Sequence, residues 1–396
     1  MIALVLMLCA FSIGTSEFVI VGVLPEVAAD LSVTLPVAGM LVTAYAVAVA
    51  LGGPVLTVLT ARLPRRPLLI AVMLLGTSAS VLSAVASDYT LLMGARMLGA
   101  LAHGLFFSVA SQVAVASVAP ERRTAAVAKV VNGIALSTVV GVPLGTLVGQ
   151  AYGWRASFVL VTAMTVIGLV GILVACPRVE HEPEPGVRES LFAFAKPTVL
   201  LGLLTTVLSF AGMITAFTYV TPMLREITGL SPGWVTAVLL VYGLGTVVGS
   251  NLAGRVPPSA IPRVLPIPIA VLTVLLVVQG FLMHTTVTAV LALFVLGTSA
   301  FATGPLLHTW LMGEAGRASG LVASVNISAF NVAAAFGPLL GGAVISGGLG
   351  LALIPAVAAA PALAGAAVAL VIRSRARSTP RARHRAPAAI GSPGSP

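Results

Sequence analysis

Residues 2–24 read IALVLMLCAFSIGTSEFVIVGVL, twenty-three residues with one charge, Glu17. At a rise of about 1.5 Å per residue, a helix of this length crosses the hydrocarbon core of a bilayer, about 30 Å deep. No basic stretch precedes it and no small-residue cleavage site follows, so it reads as a retained spanning helix and not a signal peptide. The rest of the chain repeats the pattern. Of 396 residues, 58% are hydrophobic and 8% charged. A soluble domain carries about a quarter charged residues, so a water-soluble globular fold is excluded. Further apolar stretches follow at 37–60, 67–86, 91–118, 126–149, 156–176, 198–222, 234–254, 264–283, 286–311, 319–345 and 349–372, twelve in all. The expected class is an all-α membrane protein with twelve transmembrane helices.

The few charges set an orientation. With the spans so placed, one side of the membrane collects eighteen of the 21 Lys and Arg, among them Arg62, Arg65, Arg66, Lys129, Lys196, Arg255 and Arg263, while the other holds Arg155 and Arg225. Short basic loops stay in the cytoplasm, which predicts cytoplasmic termini and a multi-pass protein of the inner or plasma membrane. The basic tail, RSRARSTPRARHRAP, reads as topology with some affinity for anionic headgroups, and not as a nucleic-acid arm. Two cysteines provide neither a disulfide framework nor a CxxC metal site. No P-loop for ATP appears, and no nucleophile, base and orienting acid converge. An enzyme is therefore not expected, nor a metal or cofactor.

A shift of 197 residues pairs Pro25 with Pro222, Tyr45 with Tyr242 and Gly52 with Gly249, and places AYAVAVALGG against VYGLGTVVGS. Nearby offsets pair Gly99 with Gly297 and Pro143 with Pro338. The chain thus divides into a six-span bundle at 1–176, a cytoplasmic loop at 177–197, a second six-span bundle at 198–372 and a basic, disordered tail at 373–396. Two such pseudo-symmetric bundles can rock about a site near the bilayer midplane.

Glu17 in span 1 and Arg96 in span 4 are the charges left inside spans. A charge at a helix centre costs about 2.5–3.5 kcal/mol on insertion scales, so such residues face a cavity or a partner. Counted from Pro25 and Tyr89, they lie roughly 12 and 10 Å deep, at similar level. They are expected either to pair or to let Arg96 set the charge on Glu17 until a proton or cation competes. His103, two turns after Arg96, projects from the same face and joins them as a proton-handling group, with Phe107 one turn on. Small residues form smooth faces on four spans: Gly141, Gly145 and Gly149 around Pro143 in span 5; Gly337, Pro338, Gly341 and Gly342 in span 11; Gly245 and Gly249 in span 8; Ala48 and Gly52 in span 2.

Several segments together resemble the major facilitator superfamily and, within it, the twelve-span drug:proton antiporters. GTSEFVIVGVLPEVAADLSV (14–33) is similar to their span 1 motif, GARMLGALAHG (94–104) to the span 4 motif with its embedded Arg, GVPLGTLVGQAYGWRASF (141–158) to the antiporter motif of span 5, and TAFTYVTPMLREITGL (215–230) to span 7. The resemblance extends to about residue 372 and is strongest to the arabinose-efflux and chloramphenicol-efflux branch. It implies export by proton exchange, coupling roles for Glu17 and Arg96, a cavity lined by spans 1, 4, 7 and 10, and packing of span 5 on span 8 and span 2 on span 11, which would bring the smooth faces together. The family's loop after span 2 has a Gly and an Asp where this chain has Thr57 and Ala61, keeping Arg62, Arg65 and Arg66; the missing acid is replaced, if at all, by Glu121 or Glu314.

On the cavity spans, Phe18, Phe106, Phe107, Phe210, Phe217 and Tyr219 accompany sparse polar groups, Ser108, Gln112 and Thr215. Such a wall suits a small, largely apolar or amphipathic molecule, such as an antibiotic or secondary metabolite, better than a sugar, which asks for more hydrogen-bonding partners. The expected partners are that molecule, protons and the bilayer, with the carrier a monomer. Export of arabinose or another metabolite is the alternative. A non-transporting receptor or scaffold is more remote, because the hydrophilic segments are too short to fold alone.

Overall fold

The computed structural model describes residues 2–60, 62–119, 123–177, 196–315 and 319–378. Among them, twelve helices are long and apolar enough to cross a membrane. In lipid the backbone must satisfy its own hydrogen bonds, and helices do so within one segment. The first six are α1 (Ile2–Gly22), α2 (Leu35–Leu59), α3 (Arg65–Ala84), α4 (Tyr89–Ala116), α5 (123–152) and α6 (Trp154–Ala175). The second six are α7 (Pro197–Thr218), α8 (Pro232–Gly254), α9 (Pro266–Leu282), α10 (Thr286–Ala315), α11 (Ser319–Ser346) and α12 (Ile354–Ser378). Most of the central loop, the basic tail beyond Ser378, and Ala61, Glu121, Arg122 and Arg317 lie outside the described residues.

Local chemistry explains where the helices start and break. Asp88 caps α4 by accepting from the Leu91 amide at 2.9 Å, and Pro197, Pro232 and Pro266 open α7, α8 and α9 where no amide donor is needed. Two expected spans are broken: α1 stops at Gly22 and resumes as Leu24–Asp30, and α7 stops at Thr218 and resumes as Val220–Glu226. Pro25 and Pro222, the repeat-paired prolines, remove the amide that would continue each ladder. In α5, Pro143 leaves the Val139 carbonyl without its i+4 donor, and Ser137–Gly141 widens into a π-turn. At the other end of the chain, α12 runs to Ser378, so residues 373–378 are helix where a tail was expected.

Within the first half α1 packs on α5 and α6, and α2 and α3 on α4; within the second α7 packs on α11 and α12, and α8 on α10. The halves meet along α2 with α11 and α5 with α8. Apart from Gly342, where an added Cβ would meet Pro36 of α2 at 3.3 Å, the glycines of the smooth faces do not form these seams, contrary to the expectation from sequence. A Cβ on Gly141 or Gly145 would strike Thr15 or Val19 of α1, and one on Gly245 or Gly249 would strike the α10 backbone at Phe294 or Thr298. Gly52 faces Leu101 of α4, Gly337 faces Ile214 and Thr215 of α7, and Gly341 faces the Tyr219 ring. Glycine therefore tightens each half internally, pairing α5 with α1 and α11 with α7 in the same way. A spacing of four residues defines a face but not the neighbour that it meets.

The seams themselves use hydroxyls and other glycines, Gly39 against Tyr219 and Gly243 against Thr138. Thr43 Oγ1 donates to the Ala335 carbonyl at 2.9 Å, Thr138 and Thr246 hydroxyls lie 3.2 Å apart, and Thr236 Oγ1 donates to Gln150 Oε1 at 3.2 Å. A Cβ on Gly243 would sit 2.7 Å from the Thr138 carbonyl oxygen. Beyond α1 and α7, Arg225 Nη1 pairs with Glu26 Oε1 at 2.6 Å. These contacts across the halves lie at mid-helix or toward the end away from the basic loops.

That same end carries a second cluster. Gly153, at φ 88°, turns the chain from α5 into α6 in a conformation that glycine adopts without strain. Arg155 then pairs with Asp30 at 2.6 Å, donates to the Ala86 carbonyl and lies over the Trp154 ring, whose Nε1 also donates to Asp30. Hydrogen bonds from Arg155 and Trp154 hold the Asp30 carboxyl below its usual range. A depressed folded-state value gives stability that is present above the ordinary carboxylate pKa of about 3.9 and lost as pH falls through the folded value. The pair is exposed, so the effect is at most about 0.5 kcal/mol. Asp30→Asn is thus expected to melt slightly below the wild type at pH 6, with the gap narrowing as pH is lowered below about 4; a gap that does not narrow would contradict the assignment.

On the opposite end, Arg62 is exposed, Arg65 is buried, and Arg66 donates to the Leu173 carbonyl at 3.0 Å. Among the described residues none of the three forms an ion pair. Glu314 offers its backbone carbonyl to Lys196, and Glu121 lies outside those residues.

Candidate functional site

α1, α2 and α4 bring four polar side chains together inside the first half. Glu17, Tyr45, Arg96 and His103 are all at least nine-tenths buried. The seven-residue interval from Arg96 to His103 puts both on the face of α4 that meets α1, so they lie two turns apart along one groove. Arg96 does not pair with the Glu17 carboxylate, as the sequence had allowed. Its Nη1 donates to the Ser16 carbonyl and its Nη2 to the Glu17 carbonyl at 2.9 Å, while the guanidinium lies 4.3 Å from the Tyr45 ring centroid. The planar fork of arginine matches two consecutive carbonyls and stacks on an aromatic face, which leaves the Glu17 side chain free to turn elsewhere.

It turns toward His103. Glu17 Oε2 lies 3.7 Å from His103 Nδ1, and the Tyr45 hydroxyl lies 3.2 Å from the same nitrogen. A neutral imidazole accepting from Tyr45 at Nδ1 keeps its proton on Nε2; a charged imidazolium would instead turn its Nδ1 proton toward the carboxylate. One nitrogen thus has an acceptor of protons and a hydroxyl within reach, an arrangement that can store or pass one proton. Phe107 and Phe106 close the other side, with ring centroids 5.3 Å apart for His103–Phe107 and for Phe106–Phe107.

The cluster opens on a cavity between the halves. The first half contributes Glu17, Phe18, Tyr45, Arg96 and Thr138 to its wall, and the second contributes Met213, Phe217, Tyr242, Phe301 and Phe330. Phe217 and Tyr242 stack at 4.4 Å with a 25° interplanar angle, and Phe210 meets Phe330 edge-on at 4.8 Å.

Of the nine residues expected on the cavity wall, Phe18 and Phe217 line it; Phe106, Phe107, Ser108, Phe210, Gln112, Thr215 and Tyr219 do not. Thr215 donates to the Ala211 carbonyl and packs on Gly337, on a different face of α7 from Phe217. Tyr219 sits at the break after α7, where its hydroxyl donates to the Pro338 carbonyl at 2.9 Å with Gly39, Gly341 and Gly342 close around it. It is a packing junction. Tyr45, Thr138 and Tyr242 are cavity residues that side-chain chemistry alone did not single out. The repeat offset pairing Tyr45 with Tyr242 was the signal that pointed to two of them.

A bundle of twelve apolar helices in two similar halves, with a buried charge cluster beside a cavity at their junction, defines a membrane carrier. The Major Facilitator Superfamily model matches residues 6–330, and the chain belongs to that family. It is 40% identical over 377 residues to the inner membrane transport protein YdhP of Escherichia coli (strain K12), covering 95% of this chain and 96% of that one. It is 32% identical over 333 residues to the chloramphenicol resistance protein of Streptomyces lividans, covering 83% and 85%. Among solved structures, a bacterial homologue of the human lysosomal transporter Spinster, in an inward-facing and occupied conformation, superposes with a TM-score of 0.77 at 17% identity, covering 96% and 98%.

Proposed function

We propose that the protein exports a small, largely apolar or amphipathic compound, such as a chloramphenicol-like antibiotic or a secondary metabolite, in exchange for protons. The observation that carries this reading is the buried Glu17–His103–Tyr45 contact beside Arg96, opening on an aromatic cavity shared by both halves. A proton taken up at Glu17 or His103 changes the charge of the wall facing the substrate, so the two ligands compete for one cavity. The positive-inside distribution favours both termini and the basic loops in the cytoplasm of the cell-membrane carrier. With that orientation the named cross-half contacts lie at mid-membrane or on the outer side, which fits a state closed outward. The chloramphenicol resistance for which the Streptomyces lividans relative is named supports the substrate class. A sugar is less well served, because the wall offers few neutral hydroxyl or amide partners.

Everted membrane vesicles, acidified inside, provide the test. They are expected to accumulate radiolabelled chloramphenicol and to lose luminal protons as they do so, with both signals collapsing on addition of an uncoupler. Uptake that continues at the same rate with the gradient dissipated would rule out proton exchange.

A further inference from the structure

The two halves break at repeat-paired prolines, Pro25 and Pro222, but the short tips that follow are held differently. The tips, Leu24–Asp30 and Val220–Glu226, begin just past Val21 and Thr218, the last cavity-lining residues of α1 and α7. They touch each other, Leu24, Val27, Val220, Met223 and Leu224 are fully buried in one apolar cluster, and the Glu26–Arg225 pair joins them. The first tip is pinned to its own half. Asp30 accepts hydrogen bonds from Trp154 Nε1 and Arg155 Nη1 of α6, and Arg155 also holds the Ala86 carbonyl. The positions matching Asp30, Trp154 and Arg155 by the 197-residue offset are Ile227, Leu351 and Ala352, which can make no such contact. The second tip is tied to its own half only beside its ends, where Tyr219 donates to the Pro338 carbonyl and Thr228 to the Met283 carbonyl.

The break residues differ too. Gly22 has no side chain, whereas Tyr219, its partner at the same offset, is fully buried against the other half. A Cβ on Gly39 of α2 would lie 2.5 Å from the Tyr219 hydroxyl oxygen and 3.1 Å from Cζ. Gly341 and Gly342 close on the same side chain from α11, so the hydroxyl has no side to which it can step. Tyr219 itself, at φ −104° and ψ 16°, separates two helical segments. A residue so placed can absorb a swing of the segment that follows it.

We propose that the outer door of this carrier opens asymmetrically: tip 24–30 stays fixed to its half as a post, while tip 220–226 swings about Tyr219, whose ring, lodged against Gly39, sets how often the door is shut. The Glu26–Arg225 pair fixes the register of closure and contributes little to its population, because a partly exposed ion pair shifts an equilibrium by about fivefold at most. Two rigid halves rocking symmetrically need neither feature. The proposal rests on the outward-closed orientation given above, and not on the substrate or the coupling ion.

The test is pulsed electron paramagnetic resonance on the full-length protein in lipid nanodiscs, with Cys9 and Cys176 replaced by alanine. Spin labels are placed at pairs of exposed positions: Ala29 with Glu226 across the halves, Ala29 with Leu59 in the first half, and Glu226 with Leu252 in the second. Gly39→Ala is expected to raise the fraction of long 29–226 distances about tenfold or more, to shift the 226–252 distance, and to leave 29–59 unchanged. Adding Tyr219→Phe, which removes the atom that the new methyl strikes, is expected to return the distances most of the way to wild type, and that reversal separates an opened door from a misfolded protein. Glu26→Gln alone is expected to raise the open fraction by about fivefold at most. An unchanged 29–226 distance in Gly39→Ala, a lengthening with both within-half distances fixed or both altered, no reversal by Tyr219→Phe, or a larger effect of Glu26→Gln than of Gly39→Ala would overturn the proposal. These distances are read without substrate or gradient. Loss of coupled uptake in the vesicle assay therefore refutes the exporter reading alone, and symmetric opening refutes the door alone.

Discussion

Glu17→Gln is expected to abolish gradient-driven uptake of chloramphenicol into everted vesicles, by two orders of magnitude or more, the rough scale on which a proton-handling side chain matters. The amide fills the same volume and can still reach His103, so packing and the Arg96 contacts to the α1 carbonyls are retained. What it cannot do is gain or lose a proton at the cavity wall. Exchange of labelled for unlabelled substrate across the membrane, which needs no net proton movement, is expected to survive in the variant. That split separates a coupling defect from a folding defect. Full gradient-driven uptake with proton release in Glu17→Gln would remove the carboxyl from the mechanism and leave His103 as the group to test next.

Gly249→Leu is expected to abolish accumulation of folded protein. The Cβ alone would overlap the Thr298 carbonyl oxygen and lie 2.9 Å from the Ala302 amide nitrogen, and both are backbone atoms of α10 that cannot rotate away. Overpacking in a core typically costs about 1–3 kcal/mol, and a clash against backbone belongs at the upper end or above. Gly254, at the end of the same helix, has nothing within 4 Å of an added Cβ, so Gly254→Leu is expected to be neutral. Size-exclusion profiles and melting temperatures in detergent give the readout. A monodisperse Gly249→Leu protein with wild-type melting would show that α8 and α10 can part without loss of the fold.

Much of the architecture was legible because lipid imposes it. Twelve apolar runs, the paired prolines at 25 and 222 and the loop charges all follow from rules that act on single segments. The depth count that put Glu17 and Arg96 at one level, and the two-turn interval that put His103 on the Arg96 face, also use one helix at a time. What escaped depends on how helices are rotated against each other. The glycine faces were visible, but their partners were not, and all but Gly342 turned out to join helices within a half. The Arg96 fork chose carbonyls over the carboxylate because of a rotamer and a neighbouring ring, neither of which spacing encodes. Tyr45 and Tyr242 carry no charge to mark them in an apolar helix, so only their repeat relation hinted at a shared place.

The separation between frame and cavity also bears on how such a carrier can change over generations. The contacts that admit no added atom, glycine against backbone, sit at helix junctions, while Phe18, Phe301 and Phe330 in the cavity wall are only partly buried. A substitution at one of those rings alters what fits inside without touching the scaffold. Drift in substrate range is therefore open to single substitutions, and selection by a new toxic compound can act on the lining while the rest of the chain stays as it is.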